Sequence, residues 1–254
     1  AGLDTLVLAG AKAPVSFCAD PEKPRVLAPG TAEITEHPNP EVGVVDALTR
    51  LADALGAPGQ PAVAAEGAQY PLVDGAIDAG ELGKVIANRL PANAIVCDEG
   101  ATNGLGAFLL TATAAPHDWL TLTGGAIGQG LPLAIGAAIA CPDQKVLALE
   151  ADGSGMYTVQ ALWTMVREAL DITVMLLNNG SYAILNIELN RVGVEQPGPT
   201  ALSLLDLTNP EISWTDIAKG MGMQASRVTT VAGHDAAMAD AMSNNGPSLI
   251  EVML

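Results

Sequence analysis

The sequence predicts an α/β fold, a parallel sheet with helices on both faces. Two observations carry that reading. Segments 94–99 (AIVCDE), 145–151 (KVLALEA), 172–178 (ITVMLLN) and 248–254 (SLIEVML) are near-continuous apolar runs of strand length, the pattern of strands buried on both faces. They alternate with segments whose apolar residues recur at helical spacing. A third observation points to a site. Gly- and Asn-containing loops follow four predicted strands, and ligands of open parallel sheets bind beyond the carboxyl ends of strands.

Taken in order, residues 3–9 read as a buried strand with a turn at Gly10, and the Pro-rich stretch 11–30 as irregular. Val42, Val45, Leu48, Leu51 and Leu55 recur at helical spacing and predict a helix over 41–56, closed by Gly56. Residues 57–72 have linker composition and mark a domain boundary. A helix over 75–90 precedes the strand 94–99 and its GATNG loop. TLT (121–123) is a short strand running into GGAIGQG, and 131–140 is an apolar helix with Pro132 in its first turn. Strand 145–151 leads through DGSG to a helix over 158–170. Strand 172–178 leads through NNGSY to a helix over 181–192. A helix over 214–222, a strand over 224–230, a helix over 234–244 and the strand 248–254 complete the chain.

Of the 254 residues, 49% are apolar and 15% charged, which fits a well-buried core. A formal charge of −17 disfavours nucleic acid and anionic membranes as partners. Cys18, Cys97 and Cys141 show no metal-ligand spacing. Cys97 and Cys141, in apolar stretches, read as buried free thiols, which points to a reducing cytoplasm. The longest apolar run, 131–141, is too short to span a bilayer. The chain opens straight into LDTLVLAG without Met, which reads as a piece of a longer polypeptide.

Asp152 and Asn179 lie 27 positions apart, about one strand–helix–strand crossover. Both side chains then emerge at one sheet edge, on strands roughly 4.8 Å apart. A carboxylate, an amide oxygen and the backbone carbonyl of Ser181 are hard oxygen donors suited to magnesium or calcium. Gly153, Ser154 and Gly155 let the backbone approach a phosphate near a helix N-terminus. None of the Lys or Arg residues lies in the four loops, so the cation must supply the positive charge. The competing structural reading has Asp152 as a helix cap and Asn178 and Asn179 as a turn. A dinucleotide fingerprint fits poorly, because GSGMYT lacks the third Gly and the next strand ends in Asn.

ADGS…LLNN resembles the Gly-Asp-Gly…Asn-Asn motif of thiamine diphosphate enzymes, and GGAIGQGLPLAIGAAIA their Gly-Gly-large-Gly loop and helix. ALWTMVREALDITVMLLNNGSYAIL is similar to the matching stretch of benzoylformate decarboxylase and acetolactate synthase-like proteins. The resemblance implies that 73–254 is the diphosphate-binding domain of the thiamine diphosphate-binding fold. It implies that 1–56 is the end of a Rossmann-like central domain. Asp152, Asn179 and the Ser181 carbonyl would hold Mg2+, with Ca2+ an alternative. Gly153, Ser154, Tyr182 and Thr102 would lie on the diphosphate, with Ala101 standing where benzoylformate decarboxylase has a second hydroxyl. Ile127, flanked by Ala126, would sit under the cofactor and hold its rings in a V. The Gly125 carbonyl would accept from the 4′-amino group. Ile184 and Glu188, four apart on one helix, would face the substrate, although Glu188 equally fits a surface pair with Arg191. Leu185 stands where pyruvate decarboxylases carry a catalytic Glu, which argues against that subgroup. Glu99 reads as a polar wall of the site or a solvated loop acid, and His117 as structural.

The implied activity is decarboxylation or carboligation of a 2-oxo acid, acetolactate synthase-like. Simple decarboxylation and a non-catalytic cofactor-binding module are the alternatives. The resemblance leaves FAD open. The family's pyrimidine-domain Glu has no match here. A pyrimidine-binding domain, from a missing N-terminal part or a partner subunit of a homodimer or homotetramer, would have to complete the site. The chain alone is expected to be inactive.

Overall fold

The structure is a computed structural model that describes residues 2–16, 24–36, 43–60, 67, 69–194 and 196–254. The chain divides into two compact units, Ala1–Ala64 and Ala65–Leu254.

In the first unit, β1 (Thr5–Leu8) pairs in parallel with β2 (Glu33–Glu36), Thr5 opposite Glu33. The stretch expected to be irregular contains an antiparallel bridge between Val15 and Val26. Helix α1 spans Val44–Ala54. Its predicted apolar stripe is exposed at Val45, Leu48 and Leu51, as is Leu55 just beyond it, and Ala47 is the buried residue. Val42 and Cys18 lie outside the described residues, as does much of the 57–72 segment.

The second unit runs α2 (Ala79–Arg89), β3 (Ile95–Glu99), α3 (Ala101–Leu110), β4 (Asp118–Thr121), α4 (Gly130–Ala140), β5 (Val146–Ala151), α5 (Asp152–Gly155) and α6 (Ala161–Arg167). It continues through β6 (Ile172–Asn178), α7 (Ala183–Arg191), α8 (Pro199–Ser203), α9 (Trp214–Gly220), β7 (Gln224–Val228), α10 (Val231–Ser243) and β8 (Ser248–Met253). The six strands form one parallel sheet in the order β4-β3-β5-β6-β8-β7. Chain order reverses direction at β3, whose sequence successor β4 lies on one side and β5 on the other. That switch point is where such sheets open a crevice.

Strand alternation divides the core in two. Val96, Leu147, Leu149, Met175 and Ile250 face Leu82, Val85 and Ile86 of α2 and Met238 of α10. Cys97, Val146, Ala148, Val174 and Leu249 face Leu131 of α4, Leu162 and Met165 of α6, and Trp214 of α9. Burial of each such large side chain contributes on the order of 2 kcal/mol. Helix α2 starts where the Asp78 carboxylate accepts the Glu81 N–H. Its last turn is tied to α10 by a two-pronged Arg89–Asp235 pair.

Several boundaries differ from the sequence reading. Ile77 is buried ahead of α2, which begins only at Ala79. The GATNG segment after β3 is the first turn of α3 rather than a loop. Strand β4 ends at Thr121, and a 3-10 turn occupies Thr123–Gly125, where Gly124 and Gly125 both have positive φ. The helix expected over 158–170 is reduced to α6, preceded by a 3-10 turn at Met156–Thr158. Among the described residues, no helix is long and apolar enough to cross a membrane.

Candidate functional site

The carboxyl ends of β3, β5 and β6 bring the predicted loops to one edge of the sheet. Asp152 follows β5 directly and is 2% exposed. Its Oδ1 accepts the Gly153 N–H at 2.9 Å, and its Oδ2 accepts the Gly180 N–H at 2.7 Å from beyond β6. Burial pushes its carboxyl pKa up, and the N–H groups of Gly180, Gly153 and Asn179 pull it back down. Asn179 turns its Oδ1 onto the Ser181 N–H at 3.0 Å. The turn half of the competing reading holds at Asn178 and Asn179, whereas Asp152 is the first residue of α5 and not its cap, a position Ala151 takes without a side-chain bond; each of these oxygens keeps a second lone pair for another partner. Asp152 and Asn179 line one small cavity of about 200 Å³, together with Asn178, Gly180, Thr208 and Glu211.

The neighbouring Asn178 is 4% exposed and anchored. Its Nδ2 donates to Glu251 Oε1 at 2.8 Å, and its Oδ1 accepts the Gly180 N–H at 3.1 Å. Glu251, fully buried on β8, is gripped by two nitrogens of Arg227, which also reaches Glu211 at 3.0 Å. Residues 180–182 are backed by 205–207. Tyr182 N donates to Leu205 O and Leu207 N to Gly180 O, both at 2.9 Å. Neither bond uses the Ser181 carbonyl, and the Ser181 hydroxyl donates to Leu205 O. Gly180 has φ +65°, and a Cβ there would stand 2.8 Å from Thr208 Cγ2, so both conformation and space require glycine.

The predicted phosphate loop is tightly packed. A Cβ on Gly153 would overlap the Tyr182 ring, and one on Gly155 would meet Trp214 at 2.8 Å. Burial raises the Tyr182 pKa, with smaller contributions from Tyr157 and Asp152. The Ser154 hydroxyl is turned inward, donating to the Glu150 carboxyl. Thr102 lies half-buried in the first turn of α3, after Ala101, whose φ of +48° is left-handed. Ile127 is 47% exposed, Ala126 beside it is exposed, and the Gly125 carbonyl accepts the Ile127 N–H at 2.9 Å. Ile184 is 45% exposed on α7, and Glu188 on the same helix pairs with Arg191 at 2.6 Å. His117 bonds Ala115 O through Nδ1 at 2.8 Å and lies edge-on to Trp119.

A feature the sequence reading did not assemble is a row of acids crossing the sheet. Glu99 stands opposite Glu150, Glu150 opposite Leu176, and Leu176 opposite Glu251. Glu99 is 3% exposed and Glu150 1%, so the solvated-acid reading of Glu99 gives way to a buried one. Burial, reinforced by Glu99, pushes the Glu150 carboxyl up to about 9. Acids at the carboxyl ends of two apolar strands, Glu99 as the last residue of β3 and Glu150 as the next to last of β5, were the available signal.

The donor set fits a hard cation. Among the described residues, no group of three or more His, Cys, Asp or Glu side chains is placed to hold a metal. A cation here would rest on one carboxylate, an amide and a main-chain oxygen, with ligand oxygens completing its shell.

Fold and site together define a parallel α/β domain with glycine-rich turns and oxygen donors gathered at the carboxyl edge of its sheet. The chain belongs to the thiamine pyrophosphate enzyme family: residues 98–252 match the model of its C-terminal TPP binding domain. It is 48% identical, over its whole length, to a Mycobacterium tuberculosis protein named "Putative acetolactate synthase large subunit IlvX", and covers 49% of that protein. It is 34% identical over 141 residues to the acetolactate synthase isozyme 1 large subunit of Escherichia coli, which is 55% of this chain and 24% of that one. In fold it is similar to the thiamine diphosphate-dependent 4-hydroxybenzoylformate decarboxylase of Rhodococcus jostii RHA1. The TM-score is 0.77 at 23% identity, over 98% of this chain and 48% of that one. The chain thus spans about half the length, or less, of these relatives.

Proposed function

We propose that this chain supplies the diphosphate and metal half of a thiamine diphosphate- and Mg2+-dependent site that decarboxylates a 2-oxo acid and joins the product to a second carbonyl compound, in the manner of an acetolactate synthase. The observation that carries this reading is the pairing of Asp152 and Asn179 on one cavity at two adjacent strand tips. Family membership supports the cofactor, and the relatives named as acetolactate synthases support the carboligase reading.

In this reading Asp152 Oδ, Asn179 Oδ1 and the Ser181 carbonyl hold the cation, while Gly153 and Tyr182 border the diphosphate and Thr102 offers it a hydroxyl. Bound thiamine diphosphate supplies a nucleophilic carbon and an electron sink for the 2-oxo acid. Ile127 supports its rings, and the free lone pair of the Gly125 carbonyl accepts an amino proton. Ile184 borders the substrate, and Glu188 on the same helix is held by Arg191. Residues 1–56 are the end of a central domain. A pyrimidine-binding domain from elsewhere in the natural protein or from a partner subunit completes the site. The exposed Leu105, Phe108 and Leu109 of α3, and Ile184, Leu185 and Ile187 of α7, are apolar surface suited to such cover.

The test is product analysis on the protein at its natural length, with cofactor, Mg2+ and pyruvate, alone and with an aldehyde. Carbon–carbon bond formation is the expected result. Carbon dioxide release with only aldehyde product would replace carboligation by simple decarboxylation. Tight cofactor binding with no 2-oxo acid consumed would mark a non-catalytic module.

A further inference from the structure

We propose that Glu99 is the positioning residue of the 124–130 loop, fixing the height of Ile127 above the sheet. The inference rests on the cofactor reading above, in which Ile127 supports the rings of the bound group.

The geometry is specific. Residues 123–127 are exposed, whereas Gly128 and Gly130 are buried. Beneath them lies the Glu99 carboxylate at the tip of β3. Its Oε1 accepts the Gly128 N–H and its Oε2 the Gly130 N–H, each at 2.5 Å. Charge-assisted bonds of this kind are about twice as strong as neutral ones. From the other side, Thr158 Oγ1 donates to the Gly128 carbonyl at 3.0 Å. The residue directly after Ile127 is thus held at both its N–H and its carbonyl. Gly128 has φ +86°, and a Cβ there would stand 2.8 Å from Tyr157 Cβ. At Gly130, a Cβ would stand 2.8 Å from Glu99 Cβ and 2.5 Å from Glu150 Oε2. The two glycines let the loop sit directly on the acid, and Glu150 crowds the space into which the Glu99 carboxyl would otherwise swing.

The consequence is a fixed relation between two parts of one site. Glu99 ends β3 and Asp152 follows β5, its neighbour in the sheet. The apolar support at Ile127 and the cation grip at Asp152 are therefore referenced to the same strand register. Glu99 touches neither cofactor nor substrate in this arrangement and acts through the loop.

The experiment uses the protein at its natural length, loaded with thiamine diphosphate and Mg2+. Glu99→Gln keeps the shape, but offers one oxygen to two N–H groups and turns its own NH2 toward the other. Amide hydrogen exchange at Gly128 and Gly130 is expected to rise at least about tenfold, while Asp152 and Gly153 stay protected. The circular dichroism of the bound cofactor should change and kcat should fall by roughly 10- to 100-fold, with cofactor affinity held within about threefold. Unchanged exchange at the two glycines overturns the proposal, as does faster exchange with native kcat and native cofactor dichroism. Should the variant not fold, the native protein still decides: Gly128 and Gly130 amides exchanging at unprotected-chain rates would overturn it, and strong protection is expected. A native protein that binds no thiamine diphosphate would instead sink the cofactor reading, before any variant is made.

Discussion

The Asp152 carboxylate accepts the Gly180 N–H at 2.7 Å, tying the end of β5 to the turn beyond β6. One side chain therefore closes the turn and, in the proposed function, grips the cation. Asp152→Ala should remove both roles, lowering thiamine diphosphate affinity in the presence of Mg2+ by at least about 100-fold, the scale of losing a charged ligand oxygen. Calorimetric titration with and without Mg2+ checks this. A dissociation constant that neither the substitution nor removal of Mg2+ changes would contradict it.

Gly180→Ala should weaken the same site without touching a ligand atom. A left-handed alanine costs about 1–2 kcal/mol, and its Cβ must also displace Thr208. Cofactor affinity should fall along with urea stability, and native values of both would show that the turn tolerates a side chain.

Arg227 holds the fully buried Glu251, which in turn holds Asn178. Removing the partner of a buried charge costs about 3–5 kcal/mol, so Arg227→Ala should lower urea unfolding stability by about that much. Arg227→Lys should recover only part, because an ammonium lacks the two-pronged fork. A loss under about 1 kcal/mol would mean that Glu251 finds other partners.

His234 is fully buried in α10, and among the described residues neither ring nitrogen has a hydrogen-bond partner. Burial depresses its pKa from 6.5 to about 4, against the opposing pull of Asp235, which is itself engaged by Arg89. Between those values the unfolded chain takes up a proton that the folded chain refuses. Stability is therefore full above pH 6.5 and falls as pH drops toward 4, by about 3 kcal/mol from this group. His234→Leu should abolish that component. The difference between native and variant unfolding free energies, followed from pH 7.5 to 4, isolates it from other titrating groups, and a pH-independent difference would refute it.

The strands were legible wherever burial on both faces wrote a continuous apolar run, as in ITVMLLN, where every residue of β6 is buried. One strand without burial was missed. The four residues of β2, EITE, are all exposed and carry no pattern. Helix α3 was hidden because GATNGLG reads as punctuation, yet Gly104 and Gly106 are there for fit: a Cβ on either would stand 2.7 Å from Asp98 or from the Ala79 carbonyl. β4 slipped toward TLT because its own DWLT is largely exposed. That Asp152 and Asn179 emerge at neighbouring strand tips was legible from their spacing, since a crossover has a characteristic length. The inward turn of the Ser154 hydroxyl onto Glu150 and the clamp by Glu99 were not: the first is set by a side-chain rotamer, and the second by contacts with Gly128 and Gly130, 29 and 31 positions further along the chain.

In the proposed function, the lack of basic side chains at this edge also sets the order in which the ligand is admitted. Asp152 stands there, and loops 100–104, 124–130, 152–155 and 179–182 contain no Lys or Arg. A naked pyrophosphate ester approaching Asp152 would meet like charge with no basic side chain to offset it, whereas its cation chelate would arrive already neutralised. Chelators in a purification buffer would thus leave the rim closed to its ligand even at high ligand concentration, and divalent salt would act as the latch that opens it.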